Sequence, residues 1–313
     1  MARRDDGPPI AVHLKGTSMD FFLQTLISGL LLGGVYALVS VGLNLLFGVV
    51  RTINFAHGEL VMIGMYLSFW LWAGTGLDPY LSLFIVIPAM FIIGVVFQRG
   101  IIQPIQRSSA MMKIFATVGV SILLQNLALF LWGGQFRSIT TSYSTAVIGL
   151  GGVSISVPRL VAFLGALVLV AGLFYVMNRT MVGSILRSIA EDRDTARLIG
   201  VPVNKFYLVA TGMSAVLAGV AGSLMTSFTS VHPMFGARMT LIAFIVVVIG
   251  GLGSMTGSLL GGILLGAIET LAGSYIAPAL QQVVLFAIFI LVVLVRPQGL
   301  FGAGAGTEEV GLK

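Results

Sequence analysis

No cysteine occurs among the 313 residues, which removes disulfides, thiolate metal sites and thiol nucleophiles from consideration. Charge is almost as scarce. Asp, Glu, Lys and Arg make up 9% of the chain, against about 25% in a soluble domain. Hydrophobic residues account for 57% and the mean hydropathy is +1.05. Composition therefore places the chain in a membrane, and no stretch outside the apolar runs is long enough for a folded soluble domain. Histidine is confined to His13, His57 and His232; no two stand one turn apart, so there is no HExxH zinc site. There is also no G-x-x-x-x-G-K-[ST] run, and hence no Walker loop for ATP. The net charge of +6 comes mainly from the links between apolar runs, where bases set topology rather than bind nucleic acid.

What is abundant is long uncharged runs. A spanning helix needs about 20 mostly apolar residues. The candidate spans are Phe21–Val50, Leu60–Leu77, Pro79–Gln98, Ile114–Phe136, Leu160–Asn178, Phe206–Ala237, Met239–Ile268 and Thr270–Val295. The glycine-rich Gly250–Gly257 interrupts the seventh and reads as a tight turn. The expectation is an all-α integral membrane protein, a polytopic bundle of eight or nine transmembrane segments. Alternation at period two is not evident, which argues against a barrel. Residues 1–18 read as a disordered or extended tail, 19–302 as the transmembrane domain and 303–313 as a second tail. The small-residue spacings Gly29–Gly33, Ser214–Ala218–Gly222, Gly257–Gly261 and Gly262–Gly266 point to close helix contacts, within the bundle or between subunits.

Lys and Arg set the orientation. Arg99, Arg107 and Lys113 lie in one link, and Arg179, Arg187, Arg193, Arg197 and Lys205 in another. Two crossings separate these links, so both can be cytoplasmic. Counting back puts the amino terminus outside, although Arg3, Arg4 and Lys15 pull mildly the other way.

One stretch is out of keeping with its surroundings. GVVRTINFAHGELVMIGMYL, from Gly48 to Leu67, sets Arg51, Asn54, His57 and Glu59 between two apolar runs. Two readings stand. The helix ends at Val50 and restarts near Gly58, leaving a solvated cytoplasmic loop. Alternatively Asn44, Asn54, His57 and Glu59 line a translocation pathway, because polar groups at membrane depth must face protein or a water cavity. Flanking glycines permit a broken helix, which presents backbone groups to a solute. Glu59 also suits the first turn of a new helix, where the dipole favours a carboxylate.

The link 179–205 is the only long polar segment inside the chain. Ser188–Ile199 has no Pro or Gly and suits a short amphipathic helix, ended by Gly200 and Pro202. It reads as a solvated connector or as a docking helix for a groove on a partner protein.

The blocks SGLLLGGVYALVSVGLNLLFGVVRTINFAHGELVMIG (Ser28–Gly64), EDRDTARLIGV (Glu191–Val201), FIVVVIGGLGSMTGSLLGGILLGAIETL (Phe244–Leu271) and VRPQGLFG (Val295–Gly302) resemble the branched-chain amino acid permease family of bacterial ABC importers. They occur in the family's order across roughly Met19–Gly302, and NFAHGE is the most specific. The resemblance implies the importer permease fold and a site in the bacterial cytoplasmic (inner) membrane. It implies a second homologous permease, two ATP-binding cassette subunits and a periplasmic or extracellular solute-binding protein as partners, besides membrane lipid. No cofactor is implied in this chain; ATP and Mg belong to the partner subunits. Ala190, Glu191, Asp192, Ala196, Leu198 and Gly200 would carry the coupling to the ATPase, within 188–200. Related permeases carry urea or short amides. From other classes, a channel or ion-coupled transporter would need intramembrane carboxylates, for which only Glu59 and Glu269 are candidates. An intramembrane enzyme finds no paired carboxylates or nucleophile–base set.

Overall fold

The computed structural model describes residues 18–150 and 152–301. The expected tails lie outside them, except that Ser18 already begins the first helix. The helices in chain order are α1 (Ser18–Val50), α2 (His57–Thr75) and α3 (Leu83–Phe97), which continues through a π turn (Gln98–Ile102) into the single turn α4 (Gln103–Ile105). Then come α5 (Ala110–Trp132), α6 (Val157–Arg179), α7 (Met181–Glu191), α8 (Arg193–Leu198), α9 (Val203–Met225), α10 (Phe235–Gly250), α11 (Met255–Tyr275) and α12 (Gln281–Val295).

Among the described residues, seven helices are long and apolar enough to cross a bilayer: α1, α3 with its extension, α5, α6, α9, α11, and α12 with the turn before it. This corrects the expected eight or nine. α10 has 16 residues, about 24 Å at 1.5 Å per residue, short of a hydrocarbon core of about 30 Å. α2 opens with His57-Gly58-Glu59, which dilutes its apolar run. Both are packed inside the bundle.

Two boundaries fall where the sequence reading did not put them. Arg238 and Glu269 are not span ends. They lie within α10 and α11 and neutralise one another, with Arg238 donating to Glu269 Oε1 at 2.7 Å. The breaks come instead at 226–234 and 276–280. An intramembrane charge is tolerated where it has such a partner. The Gly250–Gly257 turn is present, between α10 and α11. The all-α expectation also missed one antiparallel hairpin, β1 (Val147–Leu150) with β2 (Val153–Ser156). The hairpin is tied to the start of α1, where Gln24 Nε2 donates to the Ser154 carbonyl and the Ser154 N–H donates back to Gln24 Oε1, both at 2.6 Å.

α1 is the central helix, buried almost continuously from Leu31 to Leu46. Its glycine spacing meets that of α11. A Cβ on Gly33 would stand 2.6 Å from the Ile263 carbonyl oxygen, and one on Gly29 would stand 2.7 Å from Ala267 Cα. Only glycine allows two backbones this close, so the GxxxG spacings build the core of the chain itself. The bases of the 179–205 link and of Arg296 gather at the end of the bundle where α1 stops. Arg51 just beyond α1 bonds to the end of α7, and Leu300 N–H donates to the Ile249 carbonyl at the end of α10. The positive-inside rule makes this the cytoplasmic end.

Candidate functional site

Beyond Val50 the chain neither continues as helix nor enters solvent. Residues 51–54 have no regular secondary structure and 55–56 make a turn, and burial along the segment alternates: Thr52, Asn54 and Ala56 are buried, Arg51, Ile53 and Phe55 half-buried. The segment runs back along α1. At its end His57 Nε2 donates to the Val39 carbonyl at 3.0 Å. Val39 is three turns before the end of α1, about 16 Å away at 1.5 Å per residue, which is near mid-membrane for a core of about 30 Å. α2 therefore starts inside the bundle. The solvated-loop reading is corrected: Asn54, His57 and Glu59 are each 0–1% exposed.

Neighbouring helices hold the segment along its length. Thr117 Oγ1 of α5 donates to the Ile53 carbonyl at 3.4 Å. Thr240 Oγ1 of α10 bonds the Phe55 carbonyl at 3.2 Å and accepts from the Gly58 N–H at 3.0 Å. Asn54 Oδ1 accepts from the Ala56 N–H at 3.0 Å, forming a local turn that aims α2. Glu59 sits in the first turn of α2. Its Oε1 accepts from Ser121 Oγ at 2.9 Å and Gln125 Nε2 at 2.7 Å, both on α5. Its Oε2 rests against Gly236, where a Cβ would overlap it. Asn54 Nδ2, His57 Nδ1 and Glu59 Oε2 are buried with no hydrogen-bond partner among the described residues. A buried unpaired polar atom costs about 1–3 kcal/mol, so the break stores polar capacity that its packing does not use.

Of the four expected pathway residues, the structure brings three together. Asn44 is engaged elsewhere. Its Nδ2 reaches the Ser254 carbonyl and Ser258 Oγ at 2.7 Å and the Gly251 carbonyl at 3.2 Å, while Oδ1 accepts from the Gly253 N–H at 2.6 Å. It pins the α10–α11 turn to α1. Ser121, Gln125, Thr240 and Gly236 were not singled out from the sequence, although Ser121 and Gln125 stand one turn apart in a mostly apolar helix.

At the cytoplasmic end the expected single helix over 188–199 is two. α7 stops at Glu191 and α8 starts at Arg193. Asp192 separates them because its carboxylate caps α8: Oδ1 accepts from the N–H groups of Asp194 and Thr195 at 2.9 and 3.1 Å, and Oδ2 from Thr195 Oγ1 at 2.5 Å. The Thr195 hydroxyl, then the two backbone donors, hold this carboxyl below the usual aspartate range. Ala196 is the buried residue of α8, whereas Leu198 and Ile199 are 87% and 73% exposed. Gly200, at φ +86°, ends the unit. Two exposed aliphatic side chains on a short capped helix form a tip shaped to enter a groove. Ala190 and Glu191 contribute their carbonyls to Arg51, at 3.0 and 3.3 Å.

A polytopic bundle whose first crossing is followed by an unwound segment at membrane depth, with inward polar groups, is the architecture of a transport permease. The model of the family described as "Branched-chain amino acid transport system / permease component" matches residues 25–293, and the chain belongs to that family. The high-affinity branched-chain amino acid transport system permease protein LivH of Salmonella typhimurium is 30% identical, over 90% of this chain and 96% of its own length. The corresponding protein BraD of Pseudomonas aeruginosa is 31% identical over the same shares. The ribose import permease protein RbsC of Haemophilus influenzae is 25% identical over 87% of this chain and 85% of its own. Among solved structures, PsaBC from Streptococcus pneumoniae in complex with Fab is similar with a TM-score of 0.48 and 14% identity, covering 90% of this chain and 97% of that one.

Proposed function

We propose that this chain is the membrane permease of an ATP-driven importer for branched-chain or related amino acids. It pairs with a second, homologous permease, takes its energy from two ATP-binding cassette subunits that hold ATP and Mg, and receives cargo from a solute-binding protein at the bacterial cytoplasmic membrane. The observation that carries this reading is the intramembrane break at 51–56, with Asn54, His57 and Glu59 buried around it. Family membership and the names of the relatives supply the cargo class. The exposed Leu198–Ile199 tip supports docking on an ATPase subunit, as does the absence of a Walker loop from this chain.

The pathway follows the seam between α2 and α5, where Glu59 meets Ser121 and Gln125. Opening that seam would expose carboxylate, amide and hydroxyl groups to a zwitterion. The test is uptake into proteoliposomes holding the permease pair, the ATPase subunits and the matched binding protein. The expected result is leucine accumulation that requires Mg-ATP and is blocked by excess isoleucine or valine but not urea. Accumulation by this chain alone without ATP would overturn the reading in favour of an ion-coupled carrier.

A further inference from the structure

Arg51 is the only non-glycine residue with a positive φ among the described residues, at +52°. A side chain in the left-handed region persists only where the surroundings impose it, at a cost of about 1–3 kcal/mol. Two requirements meet here. The Arg51 N–H still bonds the Phe47 carbonyl as the last donor of α1, at 2.9 Å, while the next residue must turn back into the bundle. The side chain goes the other way. Its Nη2 donates to the Ala190 carbonyl at 3.0 Å and the Glu191 carbonyl at 3.3 Å. These belong to the last turn of α7, where helix carbonyls lack intrahelical donors and the dipole favours a cation.

One residue thus belongs to two devices. Its backbone starts the intramembrane segment, and its guanidinium closes the helix that leads into the Asp192–Gly200 tip. Downstream, the segment is bonded to α5 through Ile53, to α10 through Phe55 and to α1 through His57. We infer that Arg51 is the positioning residue that passes displacement of α7 and α8 to the intramembrane break, and through it to α5 and α10. The inference rests on the ATP-driven reading above. Nη2 alone reaches both carbonyls of this turn, so either tilt or withdrawal of α7 loads the same charged contact.

The test uses the complete transporter in proteoliposomes and reads cargo moved per ATP hydrolysed. Arg51→Gly removes the guanidinium but suits a positive φ, so the complex should assemble with an unchanged or higher thermal midpoint. Its ATP hydrolysis should persist while uptake per ATP falls about tenfold or more, the size of a coupling term. Arg51→Lys, which keeps the positive charge on a shorter side chain, should give an intermediate ratio. An unchanged ratio in Arg51→Gly overturns the inference. So does loss of assembly in Arg51→Gly, which would make the residue a structural strut. If instead the wild-type complex takes up cargo without ATP, the importer reading falls and the role of Arg51 falls with it; unchanged coupling in Arg51→Gly beside normal ATP-driven wild-type uptake removes only the latter.

Discussion

The seam between α1 and α11 and the seam between α2 and α5 are built in opposite ways. In the first, glycines on both helices bring the backbones together, and the hydrogen-bonding atoms of Asn44 are taken up by the turn that begins α11. In the second, α5 is mostly exposed; its buried residues are Thr117, Ser121 and Ala128, and two of its polar side chains are bonded to the Glu59 carboxylate. Dispersion between close backbones is lost steeply with separation. Hydrogen bonds can be exchanged for water or for a solute at a small net cost. The first seam is therefore suited to staying closed, and the second to opening and closing.

The largest effect should come from forcing the rigid seam apart. Gly33→Leu puts a branched side chain where the Ile263 backbone already stands and should cost about 3 kcal/mol or more, read as loss of folded protein in detergent thermal melts. Asn44→Ala should come next. It strands the Gly253 N–H and Ser258 hydroxyl and should cost about 2 kcal/mol, with uptake falling in proportion to the folded protein. Ser121→Ala, in the hydrogen-bonded seam, should cost only about 1 kcal/mol. Its effect should appear in faster hydrogen exchange of α5 and altered uptake rather than in the melting temperature. If it lowers the melt as much as Asn44→Ala, the contrast between the seams is false.

The smallest effect concerns Asp192. Its carboxyl is held below the ordinary aspartate value by its capping bonds, so the folded state binds its proton less readily than the unfolded chain. The cap's contribution is complete above the unfolded value of about 3.9 and is lost as pH falls through the lower folded value. Amide protection of α8 should therefore fade in acid in the wild type and be flat across that range in Asp192→Asn. The same fading in Asp192→Asn would assign it to another group.

Much of this plan is readable in the sequence because the chain breaks its own rule at few places. Asn54, His57 and Glu59 stand out against apolar neighbours, and the structure buries all three. What the sequence hid is mostly pairing at long range. Arg51 meets residues 190 and 191, and Arg238 meets Glu269; neither follows from spacing, and a paired charge inside a span looks the same as one at its end. The division of 188–199 at Asp192 was missed for a different reason. Helix-forming composition on either side concealed an aspartate that competes for the backbone as a cap. The turn at Gly250–Gly257 was legible from its glycines, but the partner that pins it, Asn44, reads from the sequence as part of the pathway because it lies close in the chain to Asn54, His57 and Glu59.

The most direct test of the contrast uses the chain's lack of cysteine, which makes an added thiol the only one in this chain. In the complete transporter, Ser121→Cys reports on the α2–α5 seam and Thr270→Cys on the α1–α11 seam. The account predicts that turnover with Mg-ATP and loaded binding protein speeds thiol labelling at 121 and leaves 270 at its resting rate. Equal change at both positions, or none at 121, would contradict it.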